Sequence, residues 1–390
     1  MKKDDIAIIG MGCSKFGERW DCGLSDLIIE AAYEAYEDAK IGPEQIEVAY
    51  FGNGFDHSVG ATALADTLKL EGIPVVRNEN YCTSGHIALI DAIQAVASGR
   101  YKVAMAVGAE KLKDTGYPGL GAGRGTSPVL EARRTAPGSF SMIATRYFHE
   151  YGLSYEEGKR VIGKIAVKNH KNGLLAPKAH FHKLITLEDV VDAPIIAKPL
   201  GLYDCCGNSD GAACAIVTSA DAAKTFRDDP IYVKGYGVAI DAILPMYRRF
   251  DWTRFESLQK SSRVAYEMAG IKNPREEIDV AEVHDCFSIT ELVIYENFGF
   301  CDYGKAREDI DAGFFELDGG LPVNVDGGLK CFGHPVGASG IRMTYEIYKQ
   351  LQEKVDNPDR QVKNARRGMS HTFGGAPQIS AVLILGNEKE

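Results

Sequence analysis

The sequence predicts an α/β protein made of two similar halves, with an inserted segment in the first. Three observations carry this. Apolar runs of strand length alternate with stretches of helical period. The order of these runs recurs once, at a spacing of about 170 residues, too long for a solenoid unit. Between about residues 111 and 195 the strand pattern stops, and a Gly/Pro-rich loop and two amphipathic stretches replace it.

Taken in order, IAIIGMG (6–12) is a buried strand ending in glycine, and LSDLIIEAAYEAYEDA (24–39) has the period of a helix. VAYFGNG (48–54) is a strand running into a Gly/Asn turn, and ATALADTLKL (61–70) is a helix. ENYCTSGH (79–86) sets a cysteine before IALIDAIQAVASG, another helical stretch, and VAMAVGAE (103–110) is the next strand. In the insertion, GYPGLGAGRGTSP (116–128) reads as a loop, while FSMIATRYFHEYG and GKRVIGKIAVKNHKNG read as helices. This region carries Lys159, Arg160, Lys164, Lys168, Lys171, Lys178 and Lys183, either a solvated helix face or a cradle for phosphates.

The sheet pattern returns at CCGNSDGAACAIVTSA (205–220), and IYVKGYGVAI (231–240) looks like a new first strand. SLQKSSRVAYEMAG is a helix and IDVAEVHDCF (278–287) a strand. GHPVGASGIRMTYEIYKQLQ is a glycine turn into a helix, and SHTFGGAPQISAVLILG (370–386) a turn into a terminal strand. The expected domains are 1–222, containing the insertion, and 223–390.

The bulk properties narrow the class. A net charge of −10 with no basic stripe excludes a general nucleic-acid binder. No apolar run approaches the roughly 18 residues of a membrane span. The N-terminus reads as a first strand, not a signal peptide. Nine scattered cysteines without a C-x-x-C pair point to a reducing cytoplasm and to no zinc ribbon in this chain.

Reactive side chains concentrate in YCTSG (81–85), EVHDCF (282–287) and CFGHPVG (331–337), with glycines added by HTFGG (371–375). Each lies at a strand end or helix start, where α/β proteins place chemistry. Two cysteines and two histidines on such loops suit a metal site or a Cys/His nucleophilic site. The metal reading lacks closely spaced ligands. The nucleophilic reading has its thiol, its base and its oxyanion donors, and a helix N-terminus behind Cys82 would lower the thiol pKa. His170, His180 and His182 stand among lysines and read as loop residues. His86, one helical turn after the cysteine, is either a pocket or a packing residue. Cys205, Cys206, Cys214 and Cys331 read as buried small side chains.

Cys82-x-Ser84, HDCF (284–287), Gly333-His334-Pro335 followed by VGASG, DCCGNSDGAA (204–213), VNVDGGLK (323–330) and GMGCSKFGE near the start run in one order over essentially the whole chain. In this the sequence resembles the thiolases of the sterol-carrier-protein-2 type, the branch with archaeal acetyl-CoA acetyltransferases. The resemblance implies a thiolase fold: two αβαβα halves in a five-layer sandwich with a loop domain inserted. It casts Cys82 as the acyl-accepting nucleophile, His334 as its base, and His284 and His334, or a water held by His284, as donors to the enolate. Cys286 becomes the acid/base thiol, and the backbone of Cys82 and Gly374 the oxyanion hole. Thr372 stands where many thiolases carry a second catalytic cysteine, which is why that role passes to Cys286.

Coenzyme A is implied as co-substrate, contacted by the insertion, with no metal or redox cofactor. The implied partners are acyl-CoA and CoA, a second copy in a homodimer or dimer of dimers, and a separate small zinc-ribbon/OB-fold subunit of the DUF35 type. Arg124, Arg133 and Arg134 suggest a substrate with a second carboxylate, an aromatic or dicarboxylic 3-oxoacyl-CoA such as benzoylsuccinyl-CoA. Acetoacetyl-CoA is the alternative substrate, and a non-catalytic acyl-CoA or lipid carrier the alternative of another class. A condensing enzyme of the 3-hydroxy-3-methylglutaryl-CoA synthase kind would need a glutamate base near Cys82, and no such motif adjoins it.

Overall fold

A computed structural model describes residues 4–55, 59–113, 135–241 and 251–389. One mixed sheet runs through the chain. Its first five strands are β1 (Ile6–Cys13), β2 (Val48–Gly52), β3 (Val75–Asn78), β4 (Val103–Glu110) and β5 (Gly211–Ser219). The remaining four are β6 (Ile231–Ile240), β7 (Val280–Glu282), β8 (Arg367–Gly374) and β9 (Ile379–Gly386). Their order across the sheet is β3-β2-β4-β5-β1-β6-β9-β8-β7.

The repeat seen in the sequence is a repeat of topology. From β1 outward, the pairings to β5 and β4 are antiparallel and those to β2 and β3 parallel. From β6 outward, those to β9 and β8 are antiparallel and that to β7 parallel. A single parallel bridge, Ala281 to Val323, stands where β3 stands in the first half. The halves join where β1 and β6 pair antiparallel through Ala7–Tyr232 and Ile8–Ile231.

Each half opens on a strand backed by a helix: α1 (Leu24–Ala39) behind β1, and later Glu256–Ala269 behind β6. A glycine pair makes this close approach possible in both. A Cβ at Gly12 would collide with the Ala31 carbonyl, and one at Gly237 with the Ser261 carbonyl. The other helices used below are α2 (Ala61–Leu68), α3 (Ser84–Ala97), α4 (Ala136–Glu150), α5 (Tyr155–Gly173), α6 (the Glu256–Ala269 helix), α7 (Ser288–Asn297) and α8 (Ser339–Leu351). Helices α3 and α8 hold corresponding places, each following a reactive loop, and they pack against each other. At their meeting point, a Cβ on Gly340 would lie 2.6 Å from the backbone nitrogen of His86.

Three expectations are corrected here. Residues 278–287 form only a three-residue strand, and the unexpected α7 follows; every α7 residue is buried, so no polar face reveals its period. Residues 370–386 are not a turn into one strand but β8, a turn and β9. The short β3 was unpredicted; it is an edge strand, half-buried, with no alternation.

The basic cluster of the insertion is also resolved. Lys159 pairs with buried Asp204, Lys168 with Glu291 (2.8 Å), Lys178 with Glu34 (2.5 Å), and Arg160 with Glu188 (3.1 Å). Lys164 reaches Asp311, Lys171 Glu316, and Lys183 the Tyr203 hydroxyl. All seven cations have a partner within the chain, and Lys159 and Lys168 are buried with theirs. No helix among the described residues is long and apolar enough to cross a membrane.

Candidate active site

The cysteine loop is fastened by its own hydroxyls. Ser84 donates to the Tyr81 carbonyl (2.6 Å) and accepts from the Asn80 N–H (2.9 Å), while Thr83 N–H donates to the Asn80 carbonyl (3.1 Å). Tyr81 takes a left-handed conformation, φ +52°, which is costly for a non-glycine residue and turns Cys82 out of the strand direction. Gly374, the last residue of β8, abuts this loop: a Cβ there would lie 2.7 Å from the Asn80 carbonyl.

His284 and His334 arrive from the second half. Cys82 Sγ and one nitrogen of each ring lie within 4.8 Å of one another. The rings meet edge to face, with centroids 5.1 Å apart. Both side chains are buried. Among the described residues no other trio of Cys, His or acidic side chains converges this way. His170, His180 and His182 do not; each donates to or accepts from a nearby oxygen of the insertion or of Ser209.

The two rings are held in opposite tautomers by their hydrogen-bond networks. Ser339 donates to the Pro335 carbonyl (2.9 Å), so its oxygen accepts from His334 Nδ1–H (2.7 Å), leaving a lone pair on Nε2. The Phe373 N–H donates to His284 Nδ1 (3.4 Å), which puts the ring proton on Nε2. Neither Nε2 has a partner among the described residues, although both are buried. The pair therefore offers one acceptor and one donor. Burial keeps both neutral, lowering His334 to about 3 and holding His284 well below the usual histidine range.

The thiol corrects one expectation. Helix α3 starts at Ser84, beyond Cys82, and burial pushes the thiol up to about 12, with the Glu110 carboxylate acting in the same direction. With the helix start beyond it and burial raising it, Cys82 is a protonated thiol that depends on a base.

Cys286 is buried in the loop between β7 and α7, and Thr290 donates to the carbonyls of His284 (2.8 Å) and Phe287 (2.7 Å) in that loop. Asp285 anchors it by accepting from Leu329 N–H (2.5 Å) and Asn169 Nδ2 (2.7 Å). Burial, with the Glu291 charge, holds Asp285 above the usual carboxylate range. Burial also raises Cys286 well above the ordinary thiol range, helped by Cys206 and Cys82. Cys206 is half-buried rather than core, and its N–H donates to the Cys286 carbonyl (2.9 Å).

His86 is a packing residue. It is fully buried, with Nδ1 2.7 Å from Thr372 Oγ1 and Nε2 3.0 Å from Ser370 Oγ. Thr372 is thereby committed to His86. Burial lowers His86 to about 3, below its unfolded value near 6.5. Its neutral form thus favours the fold fully above about pH 6.5, and that contribution is lost as pH falls toward 3. The stability difference between wild type and His86→Gln is expected to shrink by up to about 1.4 kcal/mol per pH unit over that window. Urea midpoints at several pH values check this; a constant difference refutes it.

Sequence reasoning missed two contributors. Ser339 sets the His334 tautomer, and Glu110 accepts four N–H donors around the site. Glu110 ends the apolar run VAMAVGAE, a strand-end carboxylate whose position was the available signal. Arg124, Arg133 and Arg134 lie outside the described residues.

Known proteins share this arrangement of sequence and fold. The family model "Thiolase, N-terminal domain" matches residues 6–221, and "Thiolase C-terminal domain-like" matches 244–387. The chain is 37% identical to an acetyl-CoA acetyltransferase of Methanothermobacter thermautotrophicus over 390 residues, covering 97% of this chain and 99% of that one. It is 32% identical to the benzoylsuccinyl-CoA thiolase subunit BbsB of Thauera aromatica, covering 95% and 94%. The solved structure "Ltp2-ChsH2(DUF35) aldolase" superposes with a TM-score of 0.86 at 24% identity, covering 100% of this chain and 99% of that one.

Proposed function

The chain belongs to the thiolase family, and from that premise we propose that it cleaves or forms 3-oxoacyl-CoA through an acyl-enzyme on Cys82. The observation that carries this is the approach of Cys82 to two neutral imidazoles, one presenting a lone pair and the other a proton.

In the cleavage direction, His334 Nε2 takes the proton of Cys82 as sulfur attacks the 3-oxo carbon. The oxyanion forms against the backbone N–H groups of Cys82 and Gly374. Its collapse breaks the C2–C3 bond, leaves the acyl group on sulfur, and passes the electron pair to C2 of the CoA-bound fragment. The resulting thioester enolate is too basic to exist free at neutral pH. The Nε2–H of His284 stabilises its oxygen, a kind of donor worth about 10²–10³ in rate. Cys286 gives its proton to C2, releasing the CoA-bound fragment as its thioester, acetyl-CoA where C2 carries no substituent. The Cys286 thiolate then takes the proton of incoming CoA, whose sulfur attacks the acyl-enzyme, releases the shortened acyl-CoA and frees Cys82, to which His334 returns the proton it took. Reversed, the same steps form a carbon–carbon bond.

Burial suits Cys286 to this role, because a desolvated thiol rests protonated. Cys286→Ser is expected to abolish hydrogen–deuterium exchange at C2 of acetyl-CoA while Cys82 still accepts an acyl group. Unchanged exchange refutes the assignment.

For the acyl group we propose an aromatic or dicarboxylic chain such as that of benzoylsuccinyl-CoA. The 32% identical subunit and the three arginines of the insertion support it. Acetoacetyl-CoA is the competing outcome, supported by the 37% identical acetyltransferase. The intact mass of the chain after brief incubation with aryl, dicarboxylic and acetoacetyl substrates decides between them. An absence of adduct from all of them calls for the DUF35-type partner subunit to be added, and an absence in its presence too overturns the enzymatic reading in favour of a carrier. A small DUF35-type subunit is proposed as partner, supported by the likeness to the Ltp2-ChsH2(DUF35) aldolase. Co-elution of the two chains tests that.

A further inference from the structure

Glu110 ends β4 with its carboxylate fully buried. Oε2 accepts the N–H groups of Gly54 and Gly337, both at 2.9 Å. Oε1 accepts the Phe55 N–H (3.1 Å) and Asn53 Nδ2–H (3.2 Å). These donors come from separate places. Residues 53–55 follow β2 in the first half, while Gly337 lies three residues beyond His334 in the second. The 53–55 loop is itself wedged between the catalytic segments: a Cβ at Gly54 would be 2.8 Å from Val336 and 3.2 Å from the Tyr81 carbonyl. The Gly337 peptide is equally confined, since a Cβ there would be 2.6 Å from the Gly52 carbonyl and 2.8 Å from the Ala109 carbonyl.

We propose that Glu110 is a positioning residue for acyl transfer: it docks the His334 turn against the Cys82 loop and keeps a fixed negative charge beside the thiol. This rests on the reading of Cys82 as nucleophile. All four of these groups are donors, so an acceptor-only side chain fits and an amide does not; a glutamine would turn its own N–H₂ toward two of them. The charge opposes loss of the Cys82 proton, in the same sense as burial. The thiol thus stays protonated until His334 takes the proton with a carbonyl carbon in place, and no standing thiolate meets electrophiles between turnovers. With both oxygens engaged, Glu110 is also unsuited to be the free glutamate base of a condensing enzyme.

The test separates charge from placement. In Glu110→Gln, alkylation of Cys82 by iodoacetamide at about pH 9, followed by peptide mass mapping, is expected to be about threefold faster. That figure is the roughly tenfold gain in thiolate that a fall of one in pKa brings, divided by a factor of about three for the lower nucleophilicity of a less basic sulfur. Glu110→Asp keeps the charge and shortens the arm. Its alkylation rate is expected to stay at the wild-type value, while kcat falls about tenfold or more with little change in KM for CoA. An unchanged alkylation rate in Glu110→Gln, or an equal rise in Glu110→Asp, overturns the proposal. If Glu110→Gln does not fold, wild-type kcat in Glu110→Asp overturns it. A wild-type chain that alkylates at Cys82 but turns over no 3-oxoacyl-CoA removes the thiolase reading and leaves the alkylation comparison intact.

Discussion

Cys82→Ala loses every acyl adduct and turnover falls roughly 10⁴-fold or more, since no other group can carry the acyl chain. The size of the effect follows from the site's economy. Among the described residues, Cys82 is the only thiol that converges with both imidazoles within 4.8 Å. Thr372 is bound to His86 and Cys286 sits in the buried loop after β7, so neither replaces it. Intact mass spectrometry after substrate addition reads the adduct directly. An adduct that persists in Cys82→Ala places the nucleophile elsewhere and refutes the mechanism. In Cys82→Ser the oxygen is intrinsically less reactive than sulfur and meets the same neutral base, so the loss is expected to be nearly as severe.

Arg342→Leu is expected to destabilise the fold by about 3–5 kcal/mol. The guanidinium is fully buried on α8, 3.0 Å from Glu282 at the end of β7, and paired with Asp326 in the VNVDGG loop. It thus fastens together the segments that present His284 and His334. Removing it leaves two carboxylates without their cation in a dry interior, and desolvation already holds Glu282 well above the usual carboxylate range. The extra changes Glu282→Gln and Asp326→Asn, made on top of Arg342→Leu, should recover most of the loss because they remove the orphaned charges. Urea midpoints read both effects. A loss below about 1 kcal/mol, or no recovery, refutes the account.

The chemistry was legible in the sequence because its carriers lie in short uninterrupted strings. HDCF and GHPVGASG each pack reactive groups and their turn into a few residues, and IAIIGMG and IYVKGYG announce the same strand twice. What escaped depends on residues far apart in the chain. The lysines of the insertion looked free only because Glu34, Glu291, Asp311 and Glu316 lie elsewhere in the sequence. Helix α7 escaped because burial on all sides erases the period that betrays a helix. The thiol's state was misjudged because the helix terminus is visible in sequence and the depth of burial is not.

The correspondence of the two halves has a consequence for how such a site can arise. Cys82 precedes α3 and His334 precedes α8, and these are equivalent positions that meet where the halves touch. Groups facing each other across a twofold axis must be identical when the subunits are identical. A symmetric pair of separate half-chains would therefore confront two thiols or two imidazoles, never one of each. The catalytic pair is a broken symmetry: it requires halves that are free to differ, which one chain encoding both provides.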